Sequence, residues 1–275
     1  MSHGPQETPD AGTSATAPAS ATDPVAYRVC IFCRRTGAEV KLSREHTFSN
    51  WINTVLTSAE VGTEITCIRT TRSDDGQPVV DSWPAAKIAS HRVRAVCKPC
   101  NEGWMNDLEI QVRPLIEPAI LGRNISLTPD QQITVATWVA MKAAVFEYVW
   151  AQDPILTDAD RQVIMSQTRP PASAQVRLAA IESNGYPLRA AATGYVSSGT
   201  GNTAFCLTLS IGCIVFQFFG GPGAGNHDFR TPGAVGPNFI GIYPPRMQGI
   251  NWPPSVALDD ESIKEFSDPL RGLHL

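Results

Sequence analysis

The sequence predicts an α+β protein in which a cysteine-bearing unit precedes a helical segment and a β-rich part. Two Cys-x-x-Cys pairs mark the first unit. TPDQQITVATWVAMKAAVFEYVW then gives roughly six turns of mostly apolar helix, and β-prone runs broken by Asn-Gly and Gly signals begin at about residue 174. The predicted parts are a disordered tail over residues 1–24, a zinc-binding unit over 25–125, a helical segment over 126–170 and a β-rich domain over 171–275.

Composition indicates a globular protein with a substantial core. The chain has 275 residues, of which 43% are hydrophobic. It lacks the roughly 18 to 20 consecutive apolar residues of a membrane span, and its N-terminus lacks the basic start and apolar core of a signal peptide. We therefore expect a cytoplasmic protein with no membrane partner. Residues 1–24 are too poor in large apolar groups to fold, and we expect them to be disordered.

Charge argues only weakly against a nucleic-acid partner. The net charge is −4, whereas proteins that bind polyanions usually carry a basic face. Residues 25–125, however, hold 13 basic and 11 acidic side chains, and several basic ones lie beside the cysteine motifs. These side chains are either solvated charges or contacts to substrate phosphates. The four candidates for phosphate contacts are Arg44, Arg92, Arg94 and Lys98.

The cysteine spacing predicts a structural zinc site. Cys30 with Cys33 and Cys97 with Cys100 can bring four thiolates onto one tetrahedral ion, and coincidental burial of core cysteines is the alternative. In small peptides such a site contributes on the order of 10 kcal/mol to folding. A closed four-cysteine site has no open coordination position, so this metal would hold the fold together while any chemistry lies elsewhere.

Short strands and helices are predicted around the cysteines. VKLSREH predicts a strand that ends on Glu45 and His46, and TFSNWINTVL predicts a short helix. Two further strands are expected at TEITCIRTTRS and HRVRAVC, with the loop DDGQP and the segment SWPAAKIAS between them.

A helix is predicted from Asn101 to about Val112, because apolar residues recur there at helical spacing. Pro114 is expected to open a further turn rather than to continue this helix. Trp104 and Met105 are expected in the core. Asn101 would then stand at the helix start, where asparagine is also a favoured N-cap.

Capping signals and turn residues organise the remainder of the chain. Thr128 with Pro129 predicts the start of the long helix, and Thr157 with Asp160 has the spacing of a capping box. Four β-prone runs then predict a small antiparallel meander, followed by a glycine-rich loop and a last amphipathic helix. These six segments are AQVRLAAIES, PLRAAATGYVSS, TAFCLTLSIG, CIVFQFFGG, GGPGAGNHDFRTPGAVGPN and LDDESIKEFSD.

Glu45, His46 and Asn101 together suit phosphodiester hydrolysis. Histidine can take a proton from an attacking water near neutral pH. Carboxylate and amide oxygens can hold a hard cation such as magnesium, which neutralises charge on the phosphate. One cysteine pair precedes the strand of Glu45 and His46, and the other immediately precedes Asn101. A shared zinc would therefore fix the distance between these side chains.

The motifs resemble those of the HNH endonucleases of the His-Me finger superfamily. The resemblance rests on CIFC, LSREHTFSNWI, RVRAVCKPCNEGWMNDLE and SLTPDQQITVATWVAMKAAVFE, and it covers residues from about 28 to 150. It is greatest for a bacterial and phage group with acid-His-x-Phe and Cys-x-x-Cys-Asn-x-Gly-Trp-Met segments.

The resemblance implies a zinc-stapled ββα-metal finger that hydrolyses DNA, with RNA not excluded as a substrate. It places His46 as the general base, and Glu45 and Asn101 as ligands of a catalytic divalent ion. The implied product ends are 5′-phosphate and 3′-hydroxyl.

Two departures from the family pattern are visible. The interval between His46 and the second cysteine pair is long, and the finger helix has no histidine, so Asn106 or Glu109 would substitute for it or be a bystander. The alternative hypothesis is a non-catalytic zinc module that binds nucleic acid or protein. In that case Glu45 and His46 are structural.

Overall fold

A seven-stranded mixed sheet is the largest element of the fold, and the chain is of the α+β class. The computed structural model describes Met1 and residues 29–37, 40–73, 77–87, 89, 91–149, 154–182, 188–196, 203–224, 238–259, 261–263 and 267. The helical segments are α1 (Asn50–Ser58), α2 (Lys98–Cys100), a π-helical turn (Asn101–Met105), α3 (Asn106–Ile120), α4 (Pro129–Phe146) and α5 (Asp158–Gln167). The strands are β1 (Glu45–His46), β2 (Glu64–Ser73), β3 (Val79–Lys87), β4 (Arg92–Val93), β5 (Ile125–Leu127), β6 (Gln175–Ala180), β7 (Leu188–Val196), β8 (Thr203–Ile211), β9 (Ile214–Gly220), β10 (Ile240–Tyr243) and β11 (Ile250–Trp252).

The large sheet has the strand order β10-β6-β9-β8-β7-β2-β3. The predicted antiparallel pairing holds for β7 with β8 and for β8 with β9. β6, however, pairs with β9, and β7 takes β2 as a parallel neighbour, so the predicted meander is wrong at its first strand. The Asn-Gly signal between β6 and β7 lies outside the described residues, and such a signal does not specify which strands pair. β7 is buried along nearly all its length, as a central strand requires.

A strand was missed in the segment SWPAAKIAS. β3 runs from Val79 to Lys87 and pairs antiparallel with β2, so the expected irregular segment is largely strand. Proline argues against a central strand, but β3 forms an edge of the sheet, and its register with β2 shifts between the Cys67–Trp83 and Ile65–Ala86 pairs. Pro84 lies at that irregularity. β2 and β3 therefore join strands that come from beyond residue 171, across the predicted part boundaries.

α4 is the central helix of the core, and both sequence-predicted caps are confirmed. Thr128 and Gln131 form a reciprocal capping box at its start, with Pro129 at the first helical position, and Thr157 forms one with Asp160 at α5. α4 is buried from Val135 to Phe146 and packs on α3, α5 and strands of the large sheet. None of the described helices is long and apolar enough to cross a bilayer.

α3 is longer than predicted and contains two prolines, Pro114 and Pro118. The expectation that Pro114 opens a separate turn is wrong, because the helix continues to Ile120. A proline inside a helix costs about 3 kcal/mol, but Ile116 and Ile120 continue the buried face beyond Pro114. Each such side chain contributes about 1.5–3 kcal/mol on burial. Packing against α4 therefore outweighs the proline penalty.

Two sequence predictions lie largely outside the described residues, the disordered tail over 1–24 and the glycine-rich loop over 220–238. The last amphipathic helix over 258–268 is described in part. There the Ile263 N–H donates to the Asp259 carbonyl at 3.1 Å and the Ser267 N–H donates to the Ile263 carbonyl at 2.9 Å, which is the hydrogen-bond spacing of an α-helix.

Candidate metal centre and active site

The sulfurs of four cysteines meet in one cluster. The Sγ atoms of Cys30, Cys33, Cys97 and Cys100 all lie within 4.8 Å of one another, and those of Cys33 and Cys97 are 3.6 Å apart. Tetrahedral zinc with bonds of about 2.3 Å places its sulfur ligands about 3.8 Å apart. The four thiols can therefore hold a metal such as zinc after only a small contraction.

Backbone hydrogen bonds shape both cysteine loops for this role. The Cys97 N–H donates to the Cys30 sulfur at 3.3 Å, and the Ile31 N–H donates to the Ala95 carbonyl at 3.0 Å. Burial raises the pKa of the Cys30 thiol, but hydrogen bonds from the backbone, that of Cys97 first among them, outweigh it and bring the pKa below its ordinary value. Such N–H donors stabilise the thiolate that a metal needs.

The same loops fix the position of the strand that carries Glu45 and His46. Leu42 pairs with Cys97, and the Ser43 N–H donates to the Val96 carbonyl at 2.8 Å. One step further along, Glu45 lies opposite Val93 and His46 opposite Arg92 in the β1–β4 ladder. The expected strand over VKLSREH is thus reduced to two ladder residues, and HRVRAVC likewise to Arg92–Val93. The strand opposite β1 is nonetheless part of the segment that carries the second cysteine pair.

Asn101 is not a helix N-cap. The helical segment already begins at Lys98 after Cys97, and Asn101 itself has helical backbone angles. Its side-chain amide nitrogen donates to the Ser43 hydroxyl at 3.3 Å. Burial raises the pKa of Glu45, and a hydrogen bond from the Asn101 side chain is one of the weaker influences that oppose this rise. The chain kinks at Gly103, where φ is −95° and ψ is −116°, before α3 begins. Asn101 follows directly on the cysteine loop, and its side chain reaches the segment that leads into β1.

Glu45 lies in a buried cluster of charges that the sequence did not suggest. Its Oε1 is 3.6 Å from the Nζ of Lys142, which is itself 2.8 Å from Oε1 of Glu109. Lys142 is fully buried, and Glu45 is only 6% exposed. The same Glu109 oxygen accepts a hydrogen bond from the Ser49 hydroxyl at 2.5 Å. Strand β1 and helices α3 and α4 each contribute one charged group to the cluster.

Burial and ion pairing act in opposite directions on these charges. Burial raises the pKa of Glu45, and Lys142 only partly opposes it. Burial alone would lower the pKa of Lys142, but Glu109 and Glu45 outweigh it and hold the ammonium charged. The pocket therefore keeps a permanent cation beside its carboxylates.

His46 follows the buried Glu45 in β1 and is partly exposed to solvent. It is half-buried, and its pKa is lowered by burial, by Arg92 and by Lys142, with Glu109 acting in the opposite direction. A lowered pKa keeps the imidazole neutral at pH 7, which a general base requires.

Of the two residues proposed to replace a finger-helix histidine, only Glu109 meets this cluster. Asn106 is exposed. Met105 is buried, and Trp104 packs edge-on against Phe32 with ring centroids 4.9 Å apart, as expected of core residues. Sequence reasoning missed Lys142, although a signal was present: it is the only charged residue between positions 131 and 146. A lone charge in an apolar helix needs a buried partner.

The basic side chains near the motifs lie on the surface. All four predicted phosphate contacts, Arg44, Arg92, Arg94 and Lys98, are exposed. Lys98 is 3.5 Å from Glu102. A groove of about 500 Å³ beside the cysteine cluster is lined in part by Arg35, Lys41 and Lys98.

Comparisons of the chain with protein-family models, with curated proteins and with solved structures give no match. The residues and geometry described above are therefore the basis of the function proposed below.

Replacing Cys33 by serine tests the zinc site. Cys33 is the half-buried member of the cluster, so the change removes a ligand without opening a core cavity. We expect one zinc per wild-type chain and a loss of most of it in Cys33→Ser, together with a lower melting temperature, because the remaining thiolates leave one coordination position to water. Zinc is measured by plasma mass spectrometry after gel filtration.

The matched control is Cys213→Ser, at a half-buried cysteine outside the cluster. It should keep its zinc. A Cys33→Ser protein with a full complement of zinc would contradict the assignment of the four cysteines.

Proposed function

We propose that the protein is a metal-dependent HNH endonuclease that hydrolyses DNA phosphodiester bonds. In this proposal β1, β4 and the helical segment from Lys98 to Ile120 are the ββα-metal finger. The observation that carries the proposal is the hydrogen bond from the Asn101 amide to the Ser43 hydroxyl at 3.3 Å, in the segment that leads into Glu45 and His46, together with a hydrogen bond from Asn101 that favours the carboxylate form of Glu45. Two segments that lie 58 positions apart, each singled out by its chemistry in the sequence, are thereby in contact.

His46 is the general base of the proposed reaction. Its neutral imidazole takes a proton from a water whose oxygen attacks phosphorus in line with the leaving group. The new P–O bond forms as the P–O3′ bond breaks, which leaves a 5′-phosphate. The 3′-oxygen takes a proton from solvent and becomes a hydroxyl.

Glu45 and Asn101 are the proposed ligands of the divalent ion. The amide nitrogen of Asn101 acts as a donor, so its amide oxygen is available for a cation. The buried carboxylates already lie around one positive charge, the ammonium of Lys142, which indicates that the pocket suits a cation. When bound, magnesium or a similar ion would neutralise charge on the phosphate and on the leaving oxygen.

Exposed basic side chains complete the proposed DNA site. Arg92 lies opposite His46 in the β1–β4 ladder, and Arg44 precedes Glu45 in the chain. Arg94 and Lys98 follow on the same surface segment. Their charges are solvent-accessible, as contacts to a phosphate backbone must be, and such contacts weaken as salt is added.

One observation favours the competing hypothesis of a non-catalytic zinc module. Glu45 is buried and already paired with Lys142, which is the expected state of a purely structural carboxylate. That hypothesis predicts a folded, zinc-loaded protein that nicks no plasmid with any divalent ion.

Replacing His46 by alanine separates the two hypotheses. We expect wild-type protein to nick supercoiled plasmid in the presence of magnesium or manganese, and His46→Ala to be at least about a hundredfold slower, because general-base catalysis contributes about 10²–10⁴-fold. Initial rates are read from agarose gels, and melting temperatures check that the variant is folded.

His91→Ala is the matched control, since His91 is also half-buried but its ring faces Cys67 at 3.8 Å. It should retain nicking within about twofold of wild type, far from the loss expected for a catalytic base. Nicking that survives His46→Ala would defeat the catalytic assignment.

The pH dependence of cleavage gives an independent test. Burial, Arg92 and Lys142 lower the pKa of His46 from its ordinary value of 6.5, so more than half of the imidazole is neutral at pH 6.5. We expect kcat/KM to rise with pH through a midpoint below 6.5 and then to level off. A midpoint above 6.5, or a rate that falls as pH rises through this range, would argue against His46 as the base.

A further inference from the structure

Lys142 is held at the centre of the proposed catalytic pocket by an element outside the finger. It belongs to α4, and its ammonium contacts Glu109 of α3 at 2.8 Å and Glu45 of β1 at 3.6 Å. Both contacts are ion pairs between opposite charges inside the protein. The ammonium is therefore held mainly by charge, and charge is what a metal ion also offers.

The cluster carries more negative than positive charge. Two carboxylates face one ammonium, so the three side chains carry a net charge of −1 when both carboxylates are ionised. Removing one member of a buried ionic cluster leaves the others uncompensated, which is strongly destabilising. A second cation near Glu45 is thus favourable for charge balance. Such a cation would share the Glu45 carboxylate with Lys142.

We propose that Lys142 is an internal counter-cation that competes with the divalent ion for Glu45. This inference rests on the proposed function, because it assumes that Glu45 is a metal ligand. The contact of Lys142 with Glu109 is 0.8 Å shorter than its contact with Glu45. Entry of the ion would therefore release Glu45 from Lys142 and leave the ammonium paired with Glu109. Lys142 is in this sense a positioning residue that sets the affinity of the site.

Replacing Lys142 by methionine is the direct test. Methionine fills a similar volume without charge, so the two carboxylates lose the ammonium that pairs with both of them. We expect zinc-loaded Lys142→Met to bind manganese at least tenfold more tightly than wild type in calorimetric titrations at pH 7.5. Its melting temperature should be lower than that of wild type, and manganese should raise it by more than it raises that of wild type.

Three further variants make the test specific. Lys142→Arg keeps the charge and should keep the wild-type affinity. In Lys142→Met with Glu45→Gln, the gain in affinity should be lost. Arg161→Met removes a buried cation outside this cluster, which pairs with Glu147 at 2.9 Å, and manganese should not restore its stability.

A second measurement, made on wild-type protein, tests the inference even if Lys142→Met does not fold. The Nζ resonance of Lys142, assigned by its absence in Lys142→Arg, should shift when wild-type protein is titrated with magnesium. An unchanged resonance at saturating magnesium, or equal manganese affinities in wild type and Lys142→Met, would overturn the inference.

These outcomes are distinguishable from failure of the proposed function. Tighter manganese binding in Lys142→Met without DNA cleavage by wild type would refute the endonuclease and support the competition. Cleavage by wild-type protein, together with unchanged manganese affinity in Lys142→Met, would support the endonuclease and refute the competition.

Discussion

The cluster of four cysteines is the constraint on which the candidate site depends. It joins two loops that are 67 positions apart, and the backbone bonds around it run directly into β1 and β4. Asn101 follows the last cysteine without an intervening residue, so its side chain is directed by the loop geometry. Without a metal, four mostly buried thiols offer little to hold these loops together. A bound zinc would convert them into a fixed frame for Glu45, His46 and Asn101.

α4 makes the rest of the chain part of this site. The helix is anchored by its capping box and by burial against α3 and the large sheet, and it carries Lys142 to the carboxylates of Glu45 and Glu109. The sheet is shared as well, because β2 and β3 of the cysteine-bearing region extend the strands that follow α5. The charge of the pocket is therefore set by an element that lies outside the proposed finger.

Local signals in the sequence predicted those features that neighbouring residues determine. The cysteine spacing, the Thr128 and Thr157 caps and most of the long strands were identified in this way. The course of α3 through Pro114, the pairing of β7 with β2 and the edge strand β3 depend on packing between distant segments, and they were missed. Lys142 was missed for the same reason. Its isolation in an apolar helix indicated a buried partner, but only the fold shows that the partners are Glu109 and Glu45.

The central claim is that a thiolate clamp places an imidazole and a carboxamide beside one hard cation. Anomalous diffraction from crystals grown with manganese, collected at the zinc and manganese edges, tests it directly. One zinc peak should lie among the four sulfurs, and a separate manganese peak should lie at bonding distance from oxygens of Glu45 and Asn101, with the His46 ring facing it. Sulfurs without zinc, or manganese bound away from both oxygens, would contradict the claim.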